Sequence, residues 1–342
     1  MTEQRLSELL RRIRGIPVTV VGDFCLDKYL YVDADLDEPS LETGLTAYQV
    51  THRRCSPGGA GNVCANLAAL GADVAALGVL GKDGEALELS EALTACGADL
   101  SPMLRDGSRC TPTYVKPMRS GPEGYAEMHR LDLKNFSPMC DASTRAVCDG
   151  LREAAAAGRA ILAVDQFLEP DCGVINTAVR QVLTELATAR PDLVIYADSR
   201  AFIRAFAGCT VKCNRSEVVR AMAPETAGEP DDDTVLSCGR RLYEAARRPV
   251  FVTLGGDGML AFSASGAARV PALPVPGPYD FCGAGDSASS ALVAALAAGA
   301  TPEEAAYLGN LAASVTIRKI GITGTASPEE MLANYREYSG RE

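Results

Sequence analysis

Hydrophobic positions fall into two kinds of run along this chain. Residues 3–14 carry leucines at 6, 9 and 10, the spacing of one face of an amphipathic helix. Pro17 ends the approach to Val18–Val21, a β-branched run that closes on Gly22-Asp23. An unbroken apolar run of this length predicts a strand buried on both faces, as in a parallel sheet. Two segments of mixed polarity, Lys28–Asp33 and Leu45–His52, then read as strands separated by an acidic, proline-containing stretch, Asp33–Ser40. Pro57-Gly58-Gly59-Ala60-Gly61-Asn62 opens a helix that runs to Leu70 and is stopped by Gly71. A strand over Val74–Val79 and a helix ending at Cys96 follow. Residues 110–119 and 124–133 form a hairpin around Ser120-Gly121-Pro122. From about residue 140 helices alternate with short apolar strands at Ala160–Val164, Leu193–Ala197, Thr210–Lys212 and Val250–Leu254.

This rhythm predicts an α/β fold, a doubly wound and mostly parallel sheet flanked by helices. The half-polar segments, approximately 24–56 and 110–133, do not fit the rhythm and are expected to pair with each other as a small separate sheet. The chain has no internal repeat and no low-complexity linker. Gly228–Asp233, with its acid run, is read as a solvated loop.

Composition narrows the function classes. The chain has 342 residues, 47% hydrophobic and 23% charged, which excludes wholesale disorder. It is read as one domain, 1–342, carrying the small sheet as an elaboration. The formal net charge of −11 gives no basic face for nucleic acid or for an anionic membrane. A local pocket can still be positive. The longest apolar runs, such as Ala291–Ala298, are too short to span a bilayer. The N-terminus mixes acids with bases and has no secretory apolar core, so a cytoplasmic location is expected. The twelve cysteines contain no C-x-x-C pair, and the two histidines lie far from zinc-finger spacing. Most of these cysteines are read as small buried hydrophobes.

The segment richest in chemistry is Asp280-Phe281-Cys282-Gly283-Ala284-Gly285-Asp286, followed by an alanine-rich helix through Gly299. Two glycines before a helix allow a tight turn and leave amide donors for an anion. A carboxylate beside such a site repels the anion unless chemistry needs it. Asp286 is therefore either a general base or a helix cap. Gly283–Ala288 also satisfies G-x-G-x-x-A, but Pro271, Pro274, Pro276 and Pro278 exclude the preceding strand that a dinucleotide fold requires. No Walker A loop is present.

Three further features lie at ends of predicted strands. Asp23 and Asp27 are either sugar-hydroxyl acceptors or turn-forming acids. Gly58-Gly59-Ala60-Gly61-Asn62 either lets a ligand approach the backbone or simply caps a helix. Asn214 and Glu217, three apart, either reach a Mg²⁺–phosphate through water or form an ordinary capped helix start.

In this order the pieces resemble the ribokinase-like family of sugar kinases, also called the PfkB type, over about residues 16–330. The most specific motif is D-x-x-G-A-G-D at 280–286. G-G-A-G-N at 58–62, G-K-D-G at 81–84, N-R-S-E at 214–217 and V-T-L-G-G-D-G at 252–258 complete the set. Within the family the chain is most similar to the kinase portion of bacterial heptose-7-phosphate kinases. V-V-G-D-F-C-L-D-K-Y at 20–29 and H-R-L-D at 129–132 carry that likeness.

The resemblance implies ATP and Mg²⁺ as cofactors and Asp286 as catalytic base, with the amides of Gly283, Ala284 and Gly285 as the anion hole. It implies that Asp27, Gly58, Gly59 and Asn62 hold the acceptor sugar, with Asp23 nearby. It places Asn214 and Glu217 at Mg²⁺ and phosphate, and Thr253, Gly255, Gly256, Gly258 and Asn310 at the nucleotide. The loop at Asp280 is the place where relatives bind a monovalent cation such as K⁺. The half-polar strands would form a lid over the sugar, and a homodimer through that lid is expected. Lys116, Arg119 and Arg130 in the lid are either holders of a substrate phosphate or solvated charges. The implied activity is transfer of the ATP γ-phosphoryl to a hydroxyl of a sugar or sugar phosphate. Two alternatives are a silent sugar or nucleotide sensor and a kinase of a nucleoside or other non-sugar alcohol. The intact G-A-G-D acid argues against the sensor, and the charged lid argues against the nucleoside.

Overall fold

The structure is a computed structural model, and it describes residues 1–338 other than 123 and 227. The β-branched run near the N-terminus becomes strand Pro17–Gly22, second from one edge of an eight-stranded sheet. Its neighbours are Asp73–Leu77 on the outer side and Ala160–Asp165 on the inner side, both parallel to it. Val194–Ser199, Thr210–Asn214 and Val250–Thr253 continue the parallel order. Val18 and Val20 face one apolar cluster and Val21 the other, the alternation expected of a strand covered on both faces. Helices Glu3–Ile13, Ala60–Ala69, Ala284–Ala297 and Pro302–Thr316 cover the first face. Asp141–Ala157, Thr177–Ala189, Arg215–Met222 and Asp232–Ala246 cover the second. No described helix is long and apolar enough to cross a membrane.

The sheet ends in an antiparallel hairpin, Met259–Ser263 with Gly266–Val270, that the pattern reading does not contain. Its signal is present in the chain: five buried residues, then a turn closing on Gly266.

The half-polar segments do pair. Phe24–Val32 lies between Val50–Gly59, antiparallel, and Thr113–Gly121, parallel. Gly124–Glu127 and Leu131–Leu133 return antiparallel along Thr113–Gly121. The strand expected at Leu45–His52 is displaced: Val50–Gly59 pairs along nearly all of Phe24–Val32, from Val32↔Val50 to Phe24↔Gly59. Pro57-Gly58-Gly59 disguises this strand, yet it is an edge strand, where a missing amide does no harm. Phe24–Val32 also begins four residues earlier than expected, so Asp27 lies within a strand and not in a turn. The acid run before residue 233 is a helix start, with Asp231 accepting from the Thr234 amide and Asp232 pairing with Arg215.

Candidate functional site

The chain leaves strand Pro17–Gly22 for one side of the sheet and later returns on its other side at Ala160–Asp165. Such a reversal opens a crevice at the carboxyl ends of the strands. Asp23 stands there, but it is only 2% exposed. Its carboxylate accepts from the amides of Val174 (2.7 Å) and Gln166 (3.0 Å). Burial pushes its pKa up to about 6, against the pull of those amides. Asp23 therefore ties the crevice wall together and does not face a ligand, which corrects one of the two proposed sugar carboxylates.

Asp27 does line the cleft, a space of about 220 Å³ shared with Gly58, Gly59, Asn62 and Asp286. Lys116 Nζ lies 3.0 Å from Asp27 Oδ1 and 3.2 Å from the Tyr29 hydroxyl, so this lysine is already neutralised. Gly59 closes the strand with φ +55, and a Cβ there would lie 2.6 Å from the Asp23 carbonyl. Only glycine fits so close a backbone approach. The helix Ala60–Ala69 starts at the next residue and carries Asn62 into the cleft. Asn66 Nδ2 donates to Asn62 Oδ1 at 3.2 Å, which orients the Asn62 amide so that its Nδ2 donates to Asp286 Oδ2 at 2.7 Å.

Asp286 is the third residue of helix Ala284–Ala297. The capping alternative is not realised: Asn62 supplies the one described hydrogen bond to its carboxylate. Desolvation and the nearby Asp198 raise its pKa to about 6, while Asn62 and Lys212 oppose the rise. Gly283 precedes the helix with φ +78, and a Cβ there would lie 2.6 Å from Thr323 Cγ2 and 2.9 Å from Asn62 Nδ2. The amides of Gly283, Gly285 and Asp286 have no acceptor among the described residues. The Ala284 amide donates to the Phe281 carbonyl at 3.2 Å, because the chain turns there to enter the helix. The free amides of this helix start are thus those of Gly283, Gly285 and Asp286, and the Ala284 amide is taken.

A second, larger cavity of about 760 Å³ lies on the far side of this helix start. Asn214, Thr253, Gly255, Gly256, Gly258 and Asn310 line it, as do Leu273, Tyr279, Phe281 and Ile317. Ala284 and Gly285 belong to its wall, and Gly283 and Asp286 belong to the wall of the first cleft. The two spaces therefore meet at four consecutive residues. Asn310 anchors its own region, donating to the carbonyls of Val270 and Pro271.

Asn214 and Glu217 form a reciprocal capping box: Asn214 Oδ1 accepts from the Glu217 amide and Glu217 Oε2 from the Asn214 amide, both at 2.8 Å. The ordinary capped-start reading is thus realised. Glu217 Oε1 has no described hydrogen bond, and burial raises this carboxyl's pKa. Glu217 does not reach the cavity wall. Asp280 accepts from the Cys282 and Gly321 amides at 2.9 Å each and so joins two loops. Each of its oxygens accepts one amide hydrogen and keeps a lone pair.

Of the lid cations, Arg130 and Lys116 line the cleft and Arg119 does not. Arg119 is paired with Asp37 and lies over the Tyr48 ring, at the end of its strand remote from the crevice. Arg130 donates to Asp132 at 2.6 and 2.8 Å and lies over the Tyr114 ring.

The sequence reading misses Lys212 and Arg200. Lys212 is 6% exposed, and its Nζ lies 2.7 Å from Asp198 Oδ2. The same ammonium is 3.4 Å from the point where a Cβ on Gly285 would stand, close to the free amides of the helix start. A lysine flanked by Val211 and Cys213 in a buried strand was the available signal, since a buried cation needs a partner. Arg200 follows the end of strand Val194–Ser199 and lines the first cleft. Behind them Asp165, bonded by the Ser199 hydroxyl at 2.8 Å, is pushed up to about 7 by burial and by Asp23. Cys282 and Cys140 are exposed, and seven of the other described cysteines are buried.

Over residues 18–330 the chain matches the pfkB family of carbohydrate kinases. The bifunctional protein HldE of Azorhizobium caulinodans is 33% identical over 333 residues, covering 95% of this chain and 65% of that protein. HldE of Geobacter sulfurreducens is 29% identical over 338 residues, covering 98% of this chain and 66% of that protein. The chain therefore spans just under two thirds of the length of these relatives. Phosphofructokinase-2 from Escherichia coli, in complex with substrates and products, superposes with TM-score 0.72 at 18% identity, covering 95% of this chain and 99% of that one. Arabidopsis thaliana ribokinase, complexed with ribose and ATP, gives 0.68 at 18% identity, covering 94% and 98%. The fold is ribokinase-like, and the chain belongs to the pfkB family of carbohydrate kinases, phosphotransferases that take an alcohol group as acceptor.

Proposed function

We propose that this protein transfers the γ-phosphoryl of ATP to a hydroxyl of a sugar or sugar phosphate, with Asp286 as general base. The observation that carries the reading is the position of Asp286. It stands where the two cavities meet, beside free helix-start amides and bonded to Asn62 of the acceptor cleft. The acceptor would lie in the first cleft against Asp27, Gly59 and Asn62, and the nucleotide in the second. Asp286 takes the hydroxyl proton as that oxygen attacks the γ-phosphorus in line. The amides of Gly283, Gly285 and Asp286, the helix dipole and Lys212 stabilise charge on the transferring group. Catalysis is then mostly positioning and electrostatics.

Mg²⁺, which when bound neutralises charge on the transferring phosphates, would be held through water by Glu217. The free Oε1 and the raised pKa of this half-buried carboxyl fit such a cation. The small sheet would act as a lid that excludes water. Arg54 on its edge strand already reaches across to the Gly321 carbonyl at 2.9 Å.

The direct test is coupled detection of ADP release over a panel of free sugars and sugar phosphates. No turnover with any acceptor would transfer weight to a silent binding protein. The pH profile is a second expected outcome. Only the carboxylate accepts a proton, so kcat/KM should fall on the acid side with an apparent pKa near 6. A rate that stays flat down to about pH 5 would remove Asp286 from the base role. Arg119→Ala is expected to leave the acceptor KM within about twofold, since that side chain is paired outside the cleft. A tenfold rise, on the order of a lost charged contact, would return Arg119 to the site.

A further inference from the structure

Strand alternation sends the two neighbouring arginines of Val50–Gly59 to opposite faces of the small sheet. Arg53 turns to helix Gly84–Ala95 and pairs with Glu88 at 2.9 Å. Arg54 stands opposite Tyr29, on the face that carries Asp27 and Lys116. Its guanidinium lies over the Tyr29 ring, 4.2 Å from the centroid. Among the described residues no carboxylate pairs with it, and its buried Nε has no hydrogen-bond partner. What fixes the side chain is a carbonyl: Nη2 donates to Gly321 at 2.9 Å, across 267 positions of sequence.

Gly321 uses both of its polar groups. Its carbonyl takes the Arg54 donor, and its amide donates to Asp280 Oδ2 at 2.9 Å. Asp280 Oδ1 accepts from the Cys282 amide at 2.9 Å, and the Asp280 amide donates to the Ile317 carbonyl at 2.8 Å. Gly283 follows at once, and a Cβ on it would lie 2.6 Å from Thr323 Cγ2. Residues 317–323 therefore form a splint between the small sheet and the turn that opens helix Ala284–Ala297.

Resting on the kinase reading above, we propose that Arg54 is a positioning residue for phosphoryl transfer. Through Gly321 and Asp280 it fixes the turn 280–283, and so it aims the free amides of Gly283, Gly285 and Asp286. Arg54 lines neither cavity, so it binds no reactant and its effect falls on kcat. Donors held ready for a developing charge lose much of their worth when they must first reorient. A misplacement on the order of 1 Å far from the chemistry can cost about 10²-fold in rate. The bond from a charged guanidinium is stronger than one between neutral groups, which suits it to hold a loop. The small sheet thus contributes to the helix start through a single side chain.

The test reads rates and one thiol together, with the sugar or sugar phosphate that turns over fastest in the acceptor panel. Arg54→Met keeps the length of the side chain over Tyr29 and removes the donor. Its kcat should fall about tenfold, with both KM values within about threefold of the parent. Arg54→Lys keeps a donor and should recover part of that loss. Arg53→Ala, on the opposite face, should leave kcat within about twofold. Asp280→Ala breaks the same link, so adding Arg54→Met to it should cost no further turnover. Losses that multiply would overturn the proposal, as would a loss carried by KM or an equal loss in Arg53→Ala.

Cys282 reports on the turn without turnover, because its amide is bonded to Asp280 and its thiol is exposed. Peptide mass spectrometry after iodoacetamide gives its alkylation rate relative to Cys140, the exposed cysteine that caps helix Asp141–Ala157. The ratio should rise about threefold or more in Arg54→Met and stay level in Arg53→Ala. A lower kcat with an unchanged ratio would overturn the route through the turn. An unchanged kcat in Arg54→Met would overturn the proposal and keep the kinase reading. A raised ratio, with no acceptor turned over even by the parent, would keep the splint and overturn the kinase reading.

Discussion

Replacing Asp286 with Asn is expected to lower kcat by a factor on the order of 10²–10⁴, the range a positioned general base contributes. Asn keeps the shape and can still accept from Asn62, so the cleft should survive while the proton acceptor is lost. A second readout has the opposite sign. The folded-state pKa of Asp286 is raised to about 6, so the folded protein binds this proton more tightly than the unfolded chain. Stability attached to the group is then present at low pH and is lost as pH rises through the folded value. Asn removes that loss. The variant should melt a few degrees higher than the parent above about pH 6, and the gain should vanish below about pH 4. Turnover in a coupled assay and thermal melts at both pH values check the two arms. Near-parental turnover would refute the base assignment, and an unchanged melting point would refute the desolvation behind the raised pKa.

Lys212→Met should show the second large effect. The ammonium is the partner of Asp198, which also accepts from the Ser289 hydroxyl at 2.8 Å. Removing it leaves a carboxylate in the interior beside Asp286 and Asp165. Breaking a buried pair on one side costs about 3–5 kcal/mol. For a chain of this size that is a melting point lower by roughly 4–7 °C. The double variant Lys212→Met with Asp198→Asn should regain most of the stability, because no charge is then left unpaired. Turnover should stay low in both, since the positive charge close to the helix-start amides is gone. Thermal melts and initial rates measured on the two variants separate these effects. A double variant as unstable as the single one would exclude the ion pair as the cause. Recovered turnover would show that Lys212 acts only through folding.

What local pattern can reveal, it revealed. The strand Pro17–Gly22 was legible because β-branched residues on both faces admit no other reading, and the glycines around Asp286 were legible because only a helix start uses them so. The errors lie where a neighbour distant in sequence decides. Asp23 and Asp27 look alike in the chain, yet one meets two amides of the loop after residue 165 and the other meets Lys116. The Ala284 amide is taken by a turn that spacing does not show. The strand read at Leu45–His52 takes its actual extent, Val50–Gly59, only when the partner strand is in place. Lys212 and Arg200 acquire their roles only when the sheet brings strand ends together, and no periodicity records that.

The direct junction between the edge strand of the small sheet and helix Ala60–Ala69 has a mechanical consequence. Strand ends at Gly59 and helix begins at Ala60, with no loop to absorb a displacement. The junction is pinned where the Ala60 amide donates to the Asp23 carbonyl at 3.0 Å, so the pair would move as a rigid lever about that point. The short arm of that lever is Asn62, whose amide rests on Asp286. A swing of the small sheet toward the core is therefore also a movement of the group that occupies the base. On the proposed kinase reading, the posture of the sheet and the availability of the carboxylate would form one mechanical coordinate, and the stroke that encloses an acceptor would also shift the Asn62 hydrogen bond on Asp286.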